Sequence, residues 1–89
     1  IDRGTWAPPA IFNLIRQVGQ VSQPELEKTF NMGVGMIAMV SPESADATIR
    51  RLTERGVPAW ALGEAQQRTD QVGDAPAKGG KGGSVELVG

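Results

Sequence analysis

From Met32 to Val40 the chain carries no polar or charged side chain, and Ser41-Pro42-Glu43 closes the run. This stretch constrains the fold more than any other. Read with the two-residue period of a strand, Val34, Met36, Ala38 and Val40 share one face; Gly33, Gly35, Ile37 and Met39 share the other. Unbroken apolarity from Met36 onward points to a strand covered on both faces. Val57–Ala65 reads as a second strand and Ser84–Val88 as a last one. The expected fold class is therefore α+β: a mixed sheet with helices packed on it. Met32–Val40 and Val57–Ala65 are expected in one sheet. Their connection allows a parallel pair with a right-handed crossover.

Helix signals fill the remainder. Pro8 and Pro9 are placed to open a helix, where a missing backbone N–H costs nothing. Ile11, Phe12, Leu14, Ile15 and Val18 then recur at helical spacing as one apolar face. Gly19 is the expected left-handed stop. Ser22-Gln23-Pro24-Glu25 has the form of a capping box, in which Ser22 accepts from the Glu25 N–H and the Glu25 carboxylate reaches back. A short helix should follow to about Phe30, burying Leu26 and Phe30. Ser41-Pro42-Glu43 opens a third helix, with cap, proline and first-turn acid in order. Ala45, Ile49 and Leu52 form its buried stripe, Arg50, Arg51, Glu54 and Arg55 its wet face, and Gly56 its end. Residues 66–83 have little apolar content, contain Lys78-Gly79-Gly80-Lys81-Gly82-Gly83, and read as a flexible loop.

Composition narrows the chemistry. The chain has 89 residues, nine basic and ten acidic, for a net charge of −1. The charges are scattered, so no nucleic-acid footprint appears. No apolar run approaches the ~20 residues of a membrane-spanning helix. Cysteine, histidine and tyrosine are absent. That excludes disulfides, Cys/His zinc sites, thiol nucleophiles and histidine bases from this chain. The first residue, Ile1, and the lack of a secretory pattern lead to the expectation of an internal start in a longer cytoplasmic protein.

Thr29-Phe30-Asn31-Met32-Gly33-Val34-Gly35-Met36 resembles a hallmark of the aminoimidazole-ribonucleotide synthetase family. Ile1-Asp2-Arg3-Gly4-Thr5-Trp6 followed by Pro9-Ala10-Ile11-Phe12 is similar to that family's "ID…W…P.IF" segment. Gly19-Gln20-Val21 precedes the capped helix. Gly56 and Ala59-Trp60-Ala61-Leu62-Gly63-Glu64 resemble its "G..A..IGE" strand. The likeness covers about 1–65 and then Ser84–Val88, which would make 1–89 part of the family's C-terminal domain. The resemblance implies a homodimeric cyclo-ligase of purine biosynthesis. That enzyme uses ATP with magnesium to turn formylglycinamidine ribonucleotide into aminoimidazole ribonucleotide. It also implies that most nucleotide-binding residues lie in an N-terminal domain outside this chain. The chain alone would then be inactive, bind no cofactor and partner the rest of its parent. The alternative is a free-standing α+β interaction or ligand-sensing module around Met32–Ala65.

Candidate site residues are few. Gly33-Val34-Gly35-Met36-Ile37-Ala38 satisfies G-x-G-x-x-G/A, but a dinucleotide site needs strand, glycines and then helix. Here a helix comes first. The glycines either let a strand pass close to another backbone or present bare backbone to a substrate. Asn31 is either a turn residue that tolerates left-handed geometry or an amide contact to a ribonucleotide. Asn31, Gly33 and Gly35 are thus the candidate substrate-binding residues; no catalytic or metal-ligating residue is assigned. Lys78–Gly83 lacks phosphate-loop spacing and a following helix. Trp6 and Trp60 read as packing residues, Thr29 as a satisfied helix-end hydroxyl, and Glu64 as a solvated strand end.

Overall fold

The computed structural model describes residues 1–67 and 83–89. Two compact units are formed, one from Ala7–Ala38 and the other from Ile1–Trp6 with Met39–Gly89.

In the unit Ala7–Ala38, helices α1 (Ala10–Gly19) and α2 (Gln23–Thr29) pack together. The start of α1 differs from expectation. Pro9 is its N-cap rather than a first-turn residue, and its carbonyl accepts from Phe12 N at 3.2 Å. The stop differs too. Gln20, not Gly19, takes the left-handed conformation, with φ 52°. Its N–H and that of Val21 both return to the Arg16 carbonyl, so the Schellman-type closure forms without glycine at the left-handed place. Gly19 serves a different need, since a Cβ there would lie 3.2 Å from Val21 Cγ2.

The apolar stripe of α1 is split. Phe12 and Ile15 are half-buried, whereas Ile11, Leu14 and Val18 are exposed. Phe12 stacks at a tilt on Phe30, with centroids 5.8 Å apart. Phe30 nonetheless stays exposed, contrary to its expected burial. Leu26, by contrast, is fully buried. Ser22 caps α2 as expected, accepting from Glu25 N at 3.4 Å. The Glu25 carboxylate does not reach back; it pairs with Lys28 Nζ at 3.3 Å on the wet face. An exposed pair of that kind adds little stability.

In the other unit, Pro42–Ser44 form a 3-10 turn that runs into α3 (Ala45–Glu54). Ser41 makes no side-chain cap to the backbone; its hydroxyl donates to the Ser44 hydroxyl at 3.0 Å. Ala45, Ile49 and Leu52 are half-buried, and Arg50, Arg51, Glu54 and Arg55 are exposed, as the stripe requires. Gly56, at φ +80°, closes the helix. Gly56 N donates to Thr53 O and Val57 N to Leu52 O, which is the full Schellman pattern. Trp6 and Trp60 pack on each other at 6.5 Å between centroids.

The expected mixed sheet is not formed. Among the described residues there are helices and no strands; Asp2 and Val88 form an isolated parallel bridge, and Ser84 is a further isolated bridge residue. Met32–Val40 and Val57–Ala65 carry no ladder. A strand is stable only when its edge hydrogen bonds are taken up and its apolar faces covered. Met36 is 90% exposed and Met39 79%, so the apolar faces are not covered by the described residues. Residues 35–40 are not helical either, which fits refusal of the dinucleotide motif. Of the expected 66–83 loop, residues 68–82, with most of Lys78–Gly83, lie outside the described residues.

Candidate functional site

The junction after α2 is built from Asn31 outward. Helix α2 ends when the Phe30 N–H donates to the Leu26 carbonyl and Phe30 itself turns extended. Thr29 Oγ1 donates to the Glu25 carbonyl at 2.9 Å, the satisfied helix-end hydroxyl expected of it. The chain then reverses over Asn31–Val34. Val34 N donates to the Asn31 carbonyl at 3.0 Å, and Gly33 N donates to Asn31 Oδ1 at 2.8 Å. The second bond makes an Asx turn inside the first. Met32 and Gly33 have φ of 54° and 94°, the signature of a type I′ turn.

A left-handed methionine costs about 1–2 kcal/mol. Met32 is buried to 7% exposure, and burying a side chain of that size contributes about 1.5–3 kcal/mol. Burial therefore wins, and the turn is fixed by an apolar anchor at its first central position. Left-handed geometry falls on Met32 and Gly33 rather than on Asn31. The available signal was Asn31 two residues before Gly33, a turn pattern hidden by the apolar run around it.

The candidate glycines separate sharply. A Cβ on Gly33 would lie 2.6 Å from Pro9 Cδ and 3.3 Å from Pro9 Cγ, and its φ is also positive. Gly33 is thus required locally on two independent grounds. A Cβ on Gly35 would meet nothing within 4 Å, and its φ is not in the left-handed region. Nothing in the described fold requires glycine there. Asn31 is exposed and uses its side-chain oxygen to pin the turn. Its amide nitrogen makes no hydrogen bond among the described residues. The structure therefore presents an outward-facing amide donor beside a stretch of bare backbone. Together they suit a polar, hydrogen-bond-accepting ligand.

Glu64 is exposed, in keeping with a solvated position. Among the described residues no three His, Cys, Asp or Glu side chains converge. The described residues do not fit a magnesium site. No described helix is long and apolar enough to cross a membrane.

Comparison with known proteins gives a consistent picture. The family described as "AIR synthase related protein, C-terminal domain" matches residues 1–75. A protein of Streptomyces fradiae, provisionally named phosphoribosylformylglycinamidine cyclo-ligase, is 54% identical over 76% of this chain and 37% of its own length. The phosphoribosylformylglycinamidine cyclo-ligase of Caldicellulosiruptor bescii is 44% identical over 81% of this chain and 21% of its own length. That of Sorangium cellulosum is 38% identical over 85% of this chain and likewise 21% of its own. The chain thus spans a fifth to just over a third of these relatives. No solved structure matches it.

Proposed function

The chain belongs to the AIR synthase related protein family, as its C-terminal domain, and from that premise we propose that it forms one wall of the substrate cleft in a longer, ATP-dependent cyclo-ligase. The relatives' shared name is a cyclo-ligase acting on phosphoribosylformylglycinamidine. The proposed reaction of the longer protein is closure of the imidazole ring, converting formylglycinamidine ribonucleotide to aminoimidazole ribonucleotide. Activation of an amide-like oxygen by ATP with magnesium, a homodimeric state and a cytoplasmic location belong to the same proposal. Those ligands are assigned to the rest of the longer protein.

In this reading Asn31 and Gly35 border the ribonucleotide, with the Asn31 amide donating to it and the Gly35 backbone letting it approach. Gly33 shapes the turn and touches no substrate. The observation that carries the reading is the contrast between the two glycines: Gly33 is explained by Pro9 and its own φ, whereas Gly35 faces open space. The exposed residues Met36, Ile37, Met39 and Val40 are covered in the longer protein, where Met32–Val40 and Val57–Ala65 become strands of a mixed sheet.

Gly35→Val in the full-length protein tests this. A side chain there meets nothing within the chain, so thermal stability should hold while KM for the ribonucleotide rises. Unchanged kinetics would remove Gly35 from the site.

A further inference from the structure

Ile1–Arg3 sits between two other segments and bonds to both. On one side Asp2 N donates to the Leu62 carbonyl at 3.0 Å. On the other, Arg3 N donates to the Val88 carbonyl at 2.8 Å, and Val88 N donates to the Ile1 carbonyl at 2.9 Å. Arg3 Nη1 donates to the Leu87 carbonyl at 2.9 Å. Asp2 bridges Val88 in parallel on one side and makes a single main-chain bond to Leu62 on the other, before the 3-10 turn Arg3–Thr5 begins. Two glycines make the fit possible. A Cβ on Gly63 would lie 2.9 Å from Ile1 Cα, and one on Gly89 would lie 2.8 Å from Asp2 Oδ1.

The segment seated on the outer edge is Ser84–Gly89, beyond the residues 1–75 that the family match covers. Main-chain bonds and one bond from the Arg3 guanidinium attach it to this edge. Val85 is 54% exposed and Val88 47%, Ser84 and Leu87 are half-buried, and no side chain of the segment is fully buried. A few backbone hydrogen bonds contribute only modestly each in water. Main-chain pairing with little side-chain burial is strand addition. It also marks the low-stability end of a structure.

We propose that the outer edge of Ile1–Arg3 is a strand-addition site for an extended peptide segment, occupied by Ser84–Gly89 of the same chain, and that this segment docks and releases as a unit while α3 stays folded. It rests on the bonds above and is independent of the cleft reading.

Hydrogen exchange read by mass spectrometry on the full-length protein tests it. Peptides covering 1–6 and 83–89 should exchange together and faster than the peptide covering α3. Val88→Pro removes the Val88 N–H and restrains the residue before it. It should speed exchange in the 1–6 peptide by about tenfold or more, the signature of a local opening, with α3 unchanged. Gly89→Ala, which strains the seat on Asp2 and also the backbone at φ +92° but keeps the Val88 N–H, should give a smaller increase at the same place. Failure of both variants to alter the 1–6 peptide would overturn the proposal. So would a wild-type protein in which the 1–6 peptide exchanges as slowly as α3.

Discussion

Gly33→Ala is the substitution whose cost the structure sets most firmly. The new Cβ would sit 2.6 Å from Pro9 Cδ, where carbon atoms prefer about 3.5–4.0 Å. Pro9 is the N-cap of α1 and its ring is rigid, so relief requires the start of that helix to move. Overpacking of this kind costs about 1–3 kcal/mol. Alanine at φ +94° adds about 1–2 kcal/mol of backbone strain. Against this, alanine reduces the freedom of the unfolded chain, a gain of about 0.4–1 kcal/mol. The net expectation is a loss of about 1–5 kcal/mol. Gly35→Ala has neither clash nor positive φ and keeps only the small gain. Urea unfolding of both variants in the full-length protein gives the comparison, read as the shift in midpoint at constant slope. Equal midpoints for the two variants would refute the assignment of Gly33 to a local structural role.

Other consequences follow from single contacts. Leu26→Ala empties the most buried of the described positions and should cost about 2–5 kcal/mol by the same unfolding assay. Ser22→Ala removes the cap on α2 and should cost about 0.5–2 kcal/mol, visible as faster exchange of the first-turn amides. Gln20→Gly should raise the melting temperature, because glycine holds φ 52° without the roughly 1–2 kcal/mol paid by a side chain there.

The helices were legible because their signals are local. Ser22 with Glu25, and Gly56 after the Ala45–Leu52 stripe, each act within a few residues of where they stand. The misplacements are local as well. Either Gly19 or Gln20 satisfies the end of α1, and the close approach of Val21 to residue 19 gives glycine that place and leaves Gln20 to turn left-handed. The sheet was not recoverable in the same way. Met32–Val40 has the composition of a strand covered on both faces, but pairing is a property of the neighbour as much as of the run. In this chain Met36 and Met39 face outward, uncovered. The local roles of the candidate residues were only partly legible. Asn31, Gly33 and Gly35 were singled out together, yet nothing in their order shows that Gly33 meets a proline ring 24 residues upstream while Gly35 meets nothing. The strand-like seating of Ile1–Arg3 was equally invisible, since Asp2 and Val88 are 86 positions apart.

The central claim is that the Asn31 amide faces the ribonucleotide. Asn31→Asp in the full-length protein isolates it. Aspartate keeps the oxygen that accepts from Gly33 N, so the turn should persist and thermal stability should match the parent. It loses the outward N–H donor and adds a negative charge toward a phosphorylated substrate. One hydrogen bond to a charged group is worth about 1.5–3 kcal/mol, so kcat/KM for the ribonucleotide should fall by roughly tenfold or more, with unfolding unchanged. A kcat/KM equal to that of the parent, in a protein of unchanged stability, would contradict the claim and leave Asn31 a turn residue only.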